Sequence, residues 1–254
     1  MRPLFRFLDL VCVGTATQTE VEEQVDLMYS LIHQQVDAIV LVPIDSKALV
    51  QPVVEAVRKG VPVINIDIRL DTQLLEQAGV EVAFVGPDNF AAAYEVGKLL
   101  DKKLRNEDKV AIIEGLAAAD NAQQRKRGFI KAIEEKGLRL VASEPADWET
   151  EKAAEVFQAM WMRYPDLKAV YCSNDAMALG VLQQMQEKNC YLPVVGFDND
   201  AVMKEFLSTG KLVATADIFS SQMAVRGIEF ALDVLEGKIE NRGVHSTAYE
   251  IIKQ

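Results

Sequence analysis

The sequence predicts an α/β fold of two lobes, each built on a parallel sheet, and three observations support this prediction. Short apolar strands alternate with amphipathic helices along the chain, which is the pattern of parallel sheets with right-handed crossovers. Several strands are continuous apolar runs, the type that is buried on both faces of a parallel sheet. The alternation restarts at Lys109, after a stretch of dense charge at residues 104–109. Two α/β units are therefore expected rather than one large sheet.

The predicted strands are runs of aliphatic, β-branched and aromatic residues that end at glycine, proline or a polar side chain. They are expected at residues 8–13, 36–43, 62–66, 82–85, 110–113, 138–142, 167–172, 192–196 and 211–218. The tail at residues 247–252 alternates apolar and polar residues like an edge strand.

The predicted helices are apolar residues at helical spacing that follow a capping side chain. Thr19 can cap the first helix, Asp45 or Ser46 the second, and Asp88 the helix that runs to residue 100. The helices are expected at residues 20–34, 46–59, 73–78, 88–100, 123–136, 153–160, 176–186, 200–208 and 220–236.

Composition and charge exclude several classes of function. The chain has 254 residues and a formal net charge of −11, which argues against nucleic acid or an anionic membrane surface as the main partner. No apolar run approaches the roughly 20 residues of a membrane span, so direct membrane insertion is not expected. The first 14 residues do not have the pattern of a signal peptide, because Arg6 and Asp9 interrupt the apolar stretch.

Enzyme signatures are absent from the sequence. It contains no G-x-S-x-G, no phosphate-binding G-x-x-x-x-G-K-[ST] and no H-E-x-x-H. The two histidines, His33 and His245, are far apart, and neither the cysteines nor the acidic residues cluster with metal-ligand spacing. We therefore expect no catalytic residue, no metal and no cofactor.

Polar and aromatic side chains recur just after the ends of the predicted strands, where open α/β sheets bind their ligands. Each has a simple structural explanation: Asn174, for example, is a good helix cap. As a group they combine planar hydrogen-bonding groups with flat rings, which suits a neutral polyhydroxylated ligand. The candidate ligand-binding residues are Asp67, Arg69, Asn121, Gln123, Arg125, Trp148, Asn174, Phe197, Asp198 and Asp217.

From Asp9 to Gln254 the sequence resembles the ribose/galactose-type periplasmic sugar-binding proteins, whose type I fold is shared with the sensor part of LacI-type repressors. The resemblance is carried by seven stretches in the family's order. They are VPVINIDIRLD (61–71), VGPDNFAAAYEVGKLL (85–100), DNAQQRKRGF (120–129), EPADWETEKA (144–153), YCSNDAMALG (171–180), VVGFDND (194–200) and GKLVATADI (210–218).

The resemblance implies two Rossmann-like lobes with parallel sheets, joined by a multi-strand hinge. The first lobe would be residues 1–104 with 218–242, and the second 105–217 with 243–254. By similarity, the family's sugar contacts fall on Asp67, on Arg125 or Gln123, and on Trp148, Asn174 and Asp198. Phe197 would be a further wall.

The resemblance further implies a non-enzymatic, periplasmic protein that binds a monosaccharide between its lobes and delivers it to the permease of an ABC importer. The alternative is a ligand-sensing module of a repressor or chemoreceptor system. An enzyme on an α/β scaffold is a third hypothesis, which the missing nucleophile and cofactor motifs disfavour.

The sequence departs from the family pattern in three places. Ile68 is inserted between Asp67 and Arg69, and Ile218 stands where the family often has glutamine, next to Asp217. The chain also lacks the family's first strand and helix. We therefore expect residues 8–13 to pair directly with residues 36–42, or the open sheet edge to pair with another molecule.

Overall fold

The computed structural model describes residues 8–253, which form ten strands and nine α-helices. The predicted lobe bounds at residues 1 and 254 lie outside this range. The strands are β1 (Ile39–Leu41), β2 (Val63–Ile66), β3 (Phe84–Pro87), β4 (Lys109–Glu114), β5 (Arg139–Pro145), β6 (Ala169–Cys172), β7 (Val194–Val195), β8 (Leu212–Asp217), β9 (Val244–Thr247) and β10 (Glu250–Lys253). The helices are α1 (Val21–His33), α2 (Val50–Arg58), α3 (Thr72–Ala78), α4 (Asn89–Gly97), α5 (Asp120–Lys136), α6 (Thr150–Arg163), α7 (Asp175–Glu187), α8 (Lys204–Ser208) and α9 (Ser220–Leu235).

The first lobe is built on a four-stranded parallel sheet in the order β1-β2-β3-β9. Its central strands are fully buried, as their continuous apolar sequences predict. Helix α9 lies close against this sheet because Gly227 has no side chain. A Cβ atom at Gly227 would lie 2.8 Å from Ile66 Cγ2 and 2.9 Å from Val40 Cγ1.

The second lobe is built on a six-stranded sheet in the order β10-β8-β7-β6-β4-β5, in which only β10 runs antiparallel among the described strands. Side chains of β4 and β6 are buried on both faces. On one face, the ring of Tyr171 packs against Phe129 of α5 at 5.4 Å between centroids. The predicted fold class, two α/β lobes with mainly parallel sheets, is confirmed.

Two of the predicted crossings between the lobes are misplaced. Helix α4 packs against α5 of the second lobe: a Cβ atom at Gly128 would lie 2.5 Å from the carbonyl oxygen of Phe90. The chain therefore leaves the first lobe after β3, at Pro87, and not near residue 104. The tail is not one edge strand but two, since Val244–Thr247 pairs with β3 and Glu250–Lys253 pairs with β8. Residues 244–247 thus belong to the first lobe.

The predicted strand at residues 8–13 does not form, so the first of the two expected outcomes, its direct pairing with residues 36–42, is wrong. Leu10 is 62% exposed and lies in an extended stretch without a strand partner among the described residues. Just after the end of β1, the side chain of Gln24 forms the backbone hydrogen bonds that a neighbouring strand would otherwise form. Its amide donates to the carbonyl of Val42 at 2.8 Å and accepts from the N–H of Ile44 at 2.9 Å.

Candidate ligand-binding cleft

Residues that follow strands of both sheets lie around Arg125, and we refer to this place between the lobes as the cleft. Helix α5 begins at Asp120, three residues before the expected start, so that Arg125 falls in its second turn. The side chain is only 3% exposed, which is rare for a charged group without a specific role. Its Nε donates to Asn89 Oδ1 at 2.9 Å and its Nη1 donates to the carbonyl of Ser173 at 2.8 Å.

Two aromatic rings flank the guanidinium of Arg125. Its central carbon lies 3.7 Å from the ring centroid of Phe197 and 5.5 Å from that of Trp148. A flat cation between rings keeps its orientation, because stacking and the fork of N–H donors fix the same plane. The remaining donors of Arg125 therefore point to a fixed place in the cleft.

The carboxyl groups of Asp67 and Asp198 approach this cation from the two lobes. Asp198 Oδ1 lies 3.4 Å from Arg125 Nη1. Burial in the closed cleft raises the pKa of Asp198 to about 8, an effect that Arg125 opposes and that Asp175 and Asp67 reinforce. Burial also raises the pKa of Asp67, again opposed by Arg125. The backbone φ angle is 61° at Asp67 and 109° at Asp198. Residues other than glycine rarely adopt such positive φ angles, so the backbone holds both carboxyl groups in unusual positions.

Four buried polar atoms of these loops have no hydrogen-bond partner among residues 8–253. They are Asp67 Oδ1, Asn121 Oδ1, Trp148 Nε1 and Ser173 Oγ. A buried polar group without a partner costs about 1–3 kcal/mol, so a fold seldom keeps several of them in neighbouring loops. Hydroxyl groups of a ligand, which both donate and accept, can pair with all four.

Trp148 forms an apolar wall of the cleft. Its indole is 7% exposed and covers Gly115, where a Cβ atom would lie 2.1 Å from the ring. Its backbone has φ of 71°, directly after Asp147 with φ of 52°. The ring thus belongs to the buried cluster of the second lobe and at the same time faces Arg125.

The four remaining candidates also hold protein groups. The Asn174 amide oxygen accepts from the N–H of Met177 at 2.8 Å and so caps α7. Gln123 donates to the carbonyl of Ala117 at 3.0 Å. The carboxylate of Asp217 accepts from the side-chain amide of Asn199 and from the N–H of Phe219. The guanidinium carbon of Arg69 lies 5.5 Å from the ring centroid of Phe84.

Sequence reasoning missed three residues that build the cleft: Asn89, Ser173 and Ser46. Ser173 follows β6 directly and Asn89 begins α4 two residues after β3, and both stand in the stretches 171–180 and 85–100, so their position was the available signal. The role of Ser46 has no sequence signal, because its partners are about seventy positions away. Its N–H donates to the carbonyl of Ala118 at 3.0 Å, and its Oγ accepts from the N–H of Asp120 at 2.9 Å.

These two hydrogen bonds join the lobes at the rim of the cleft, so the structure is that of the closed form. Within residues 8–253, no group of three or more His, Cys, Asp or Glu side chains is placed to hold a metal ion. No described helix is long and apolar enough to cross a membrane. The groups that the cleft presents are the hydrogen-bonding side chains and aromatic rings around Arg125.

Comparison with known proteins gives consistent matches. The family model described as a periplasmic binding protein domain matches residues 8–239. The D-ribose/D-allose-binding protein of Pseudomonas aeruginosa is 41% identical over 249 residues, which are 96% of this chain and 78% of that protein. A crystal structure of an ABC transporter solute-binding protein from Burkholderia multivorans has a TM-score of 0.92 and 40% identity, covering 96% of this chain and 87% of the other. A periplasmic solute-binding protein from Actinobacillus succinogenes with bound D-allose has a TM-score of 0.88 and 31% identity, covering 96% and 86%. The first of these proteins is named for binding D-ribose and D-allose, the third holds D-allose, and none of the three is named as an enzyme.

Proposed function

The chain belongs to the periplasmic binding protein family, and from this premise we propose that it binds a neutral monosaccharide of the ribose or allose type in the cleft around Arg125. The observation that carries the proposal is the set of unpaired buried atoms in the cleft. A sugar hydroxyl can donate to Asp67 or Asn121 and accept from the indole N–H of Trp148. Asp198 and the free donors of Arg125 provide two further polar contacts.

A neutral polyol also fits the charges of the cleft. The pKa of Asp198 is raised to about 8, so this carboxyl carries a proton at neutral pH, and the guanidinium of Arg125 lies beside it to offset the carboxyl charge. An anionic ligand would face these acidic groups, whereas a hydroxyl group can accept from a protonated carboxyl or donate to an ionised one.

We further propose that the protein acts in the periplasm as the substrate-binding component of an ABC sugar importer, with the transporter permease as its partner. The proteins from Burkholderia multivorans and Actinobacillus succinogenes, which are ABC transporter solute-binding proteins, support this. Closure of two lobes over a ligand creates a joint surface that an open protein lacks, and a transporter can recognise this surface. The closed form held by Ser46 is consistent with such a cycle.

A thermal-shift screen against pentoses, hexoses and polyols, followed by calorimetric titration of the best ligand, tests sugar binding. We expect D-ribose or D-allose to raise the melting temperature, because a ligand that binds only the folded state stabilises it. If no sugar shifts the melting temperature, the proposed function is wrong.

Two variants locate the site. Asp198→Ala should weaken sugar binding about 10- to 100-fold, since it leaves ligand hydroxyls and Arg125 unpaired. Asn174→Ala should weaken binding too, and should also cost about 1 kcal/mol of stability because the cap of α7 is lost. The control is Asp166→Ala, which removes an exposed carboxylate paired with Lys109 at the opposite edge of the sheet. Unchanged affinity in both site variants would place the sugar elsewhere.

A further inference from the structure

The loop that carries Phe197 and Asp198 is strained. Asp198 and the next residue, Asn199, have φ of 109° and 60°, and neither is glycine. Such conformations are unfavourable for residues other than glycine and persist only where surrounding contacts enforce them. Since Phe197 stacks on Arg125 and Asp198 faces it, the conformation of this turn determines the geometry of the cleft.

The carboxylate of Asp175 binds both ends of this turn. Oδ1 accepts from the N–H of Phe197 at 2.9 Å, just before the strained pair, and Oδ2 accepts from the N–H of Asp200 at 2.9 Å, just after it. Oδ1 also accepts from the hydroxyl of Thr215 on β8 at 2.9 Å. The backbone N–H of Asp175 completes the link by donating to the carbonyl of Phe197 at 2.7 Å.

The residues around the carboxylate of Asp175 are closely packed against it. Asp175 is fully buried, and a Cβ atom at Gly196 would lie 2.0 Å from its Oδ1. A fully buried carboxylate is costly unless its oxygens are hydrogen-bonded, and three bonds of Asp175 go to the turn or to the strand beneath it. Simple capping of α7 does not explain this arrangement, because Asn174 already caps that helix.

We propose that Asp175 is a positioning residue for ligand binding: its carboxylate holds the turn at residues 197–200 so that Phe197 and Asp198 face the ligand in the correct orientation before it arrives. This inference rests on the proposed sugar binding. Asp175 is fully buried, so it acts on the ligand through the turn and through the carboxyl of Asp198, whose pKa it raises. A preorganised turn raises affinity because the ligand need not order it.

The test is Asp175→Asn, which keeps the shape but places an NH₂ group against one of the two N–H donors of the turn. We expect sugar affinity to fall at least about tenfold. The control is Met185→Ala at the far end of the same helix, which creates a cavity in the same lobe and should bind sugar like the original protein. Equal affinity of Asp175→Asn and the original protein, or an equal loss in Met185→Ala, would overturn the inference.

A double-mutant cycle with Asp198→Ala distinguishes positioning from general destabilisation. If Asp175 acts through the turn, Asp175→Asn should lower affinity much less in the Asp198→Ala protein than in the original one. Losses that simply add would contradict the proposal.

Hydrogen exchange of the ligand-free protein separates failure of this inference from failure of the proposed function. The amides of Phe197 and Asp200 should exchange faster in Asp175→Asn, whatever the ligand of the protein is. If their exchange is unchanged, Asp175 does not hold the turn. If it is faster and no sugar binds to any form, the proposed function fails while the role of Asp175 in holding the turn remains.

Discussion

Replacing Arg125 with methionine tests whether its guanidinium compensates the buried carboxyl groups of the cleft. Methionine keeps a long apolar stem but removes the charge and all five N–H donors. The lost pair with Asp198 spans 3.4 Å, which corresponds to about 5 kcal/mol of attraction at an effective dielectric of 20 when the carboxyl is ionised. Removal of one partner from a fully buried pair typically costs about 3–5 kcal/mol, and since the Asp198 side chain is 29% exposed, the loss here should lie at or below the lower end of this range.

The cost of this substitution should depend on pH, because the pKa of Asp198 is about 8. At pH 5 this carboxyl carries a proton, and the variant loses mainly the hydrogen bonds to Asn89 and to the carbonyl of Ser173, about 1–3 kcal/mol. At pH 9 Asp198 of the original protein is ionised beside Arg125, whereas in the variant this carboxyl must either ionise without its cation or keep a proton that the original protein has lost. The free energy of unfolding should therefore fall by about 2 kcal/mol more at pH 9 than at pH 5.

Urea denaturation of the original protein and Arg125→Met at both pH values, without sugar, measures this difference. Arg125→Lys is the control: it keeps the charge but cannot serve both acceptors at once, so its cost should vary little with pH. An equal loss for Arg125→Met at pH 5 and pH 9 would refute the view that Arg125 offsets buried carboxylates.

Three further predictions concern the apolar wall, the rim and the proton balance. Trp148→Ala should lower sugar affinity about tenfold and abolish most of the sugar-induced fluorescence change, whereas Trp148→Phe should keep the affinity because a flat ring remains; full affinity of the alanine variant, measured by titration, would exclude contact with the ring. Ser46→Ala should increase the sugar dissociation rate about three- to tenfold in stopped-flow measurements, because closure loses the bond to the N–H of Asp120, while Ser46→Thr, which keeps the hydroxyl, should dissociate more like the original. The ligand-free protein should be less stable at pH 8 than at pH 5, since burial raises the pKa of Asp175 to about 7 and the folded state therefore binds more protons than the unfolded one in this range. The fall in melting temperature between these pH values should be smaller in Asp175→Asn. A melting temperature that rises from pH 5 to pH 8, or an equal fall in Asp175→Asn, would contradict this assignment.

Local sequence determined the fold class and the positions of most strands. A parallel strand such as β4 or β6 is buried on both faces, so its whole sequence is apolar and the pattern is visible without knowledge of its neighbours. The strand ends were equally visible, because a polar residue after such a run marks the edge of the sheet. For this reason Asp67 and Asp198 could be named as candidates from their positions alone, whereas the role of Arg125, which lies within α5, was implied by the resemblance with Gln123 as the alternative.

The crossings between the lobes could not be located in this way. Helix α4 has the same amphipathic pattern whichever lobe it packs against, and only the close approach of Gly128 to Phe90 assigns it to the second lobe. The tail likewise reads as one alternating strand, while its backbone hydrogen bonds divide it between β3 and β8. Hydrogen-bond partners of a strand are a property of the sheet, and the strand's own residues do not specify them.

The sequence by itself therefore determined which residues lie at the edges of the two sheets, because burial and helix capping are properties of neighbouring residues in the chain. Only the tertiary structure decided what each of those residues does there. Asn174 and Asp175 are adjacent and equally suited to cap a helix, yet Asn174 caps α7 and Asp175 binds a turn more than twenty positions away. The physical reason is that a carboxylate acts through the donors within about 3 Å of its oxygens, and the fold brings those donors together from distant parts of the chain.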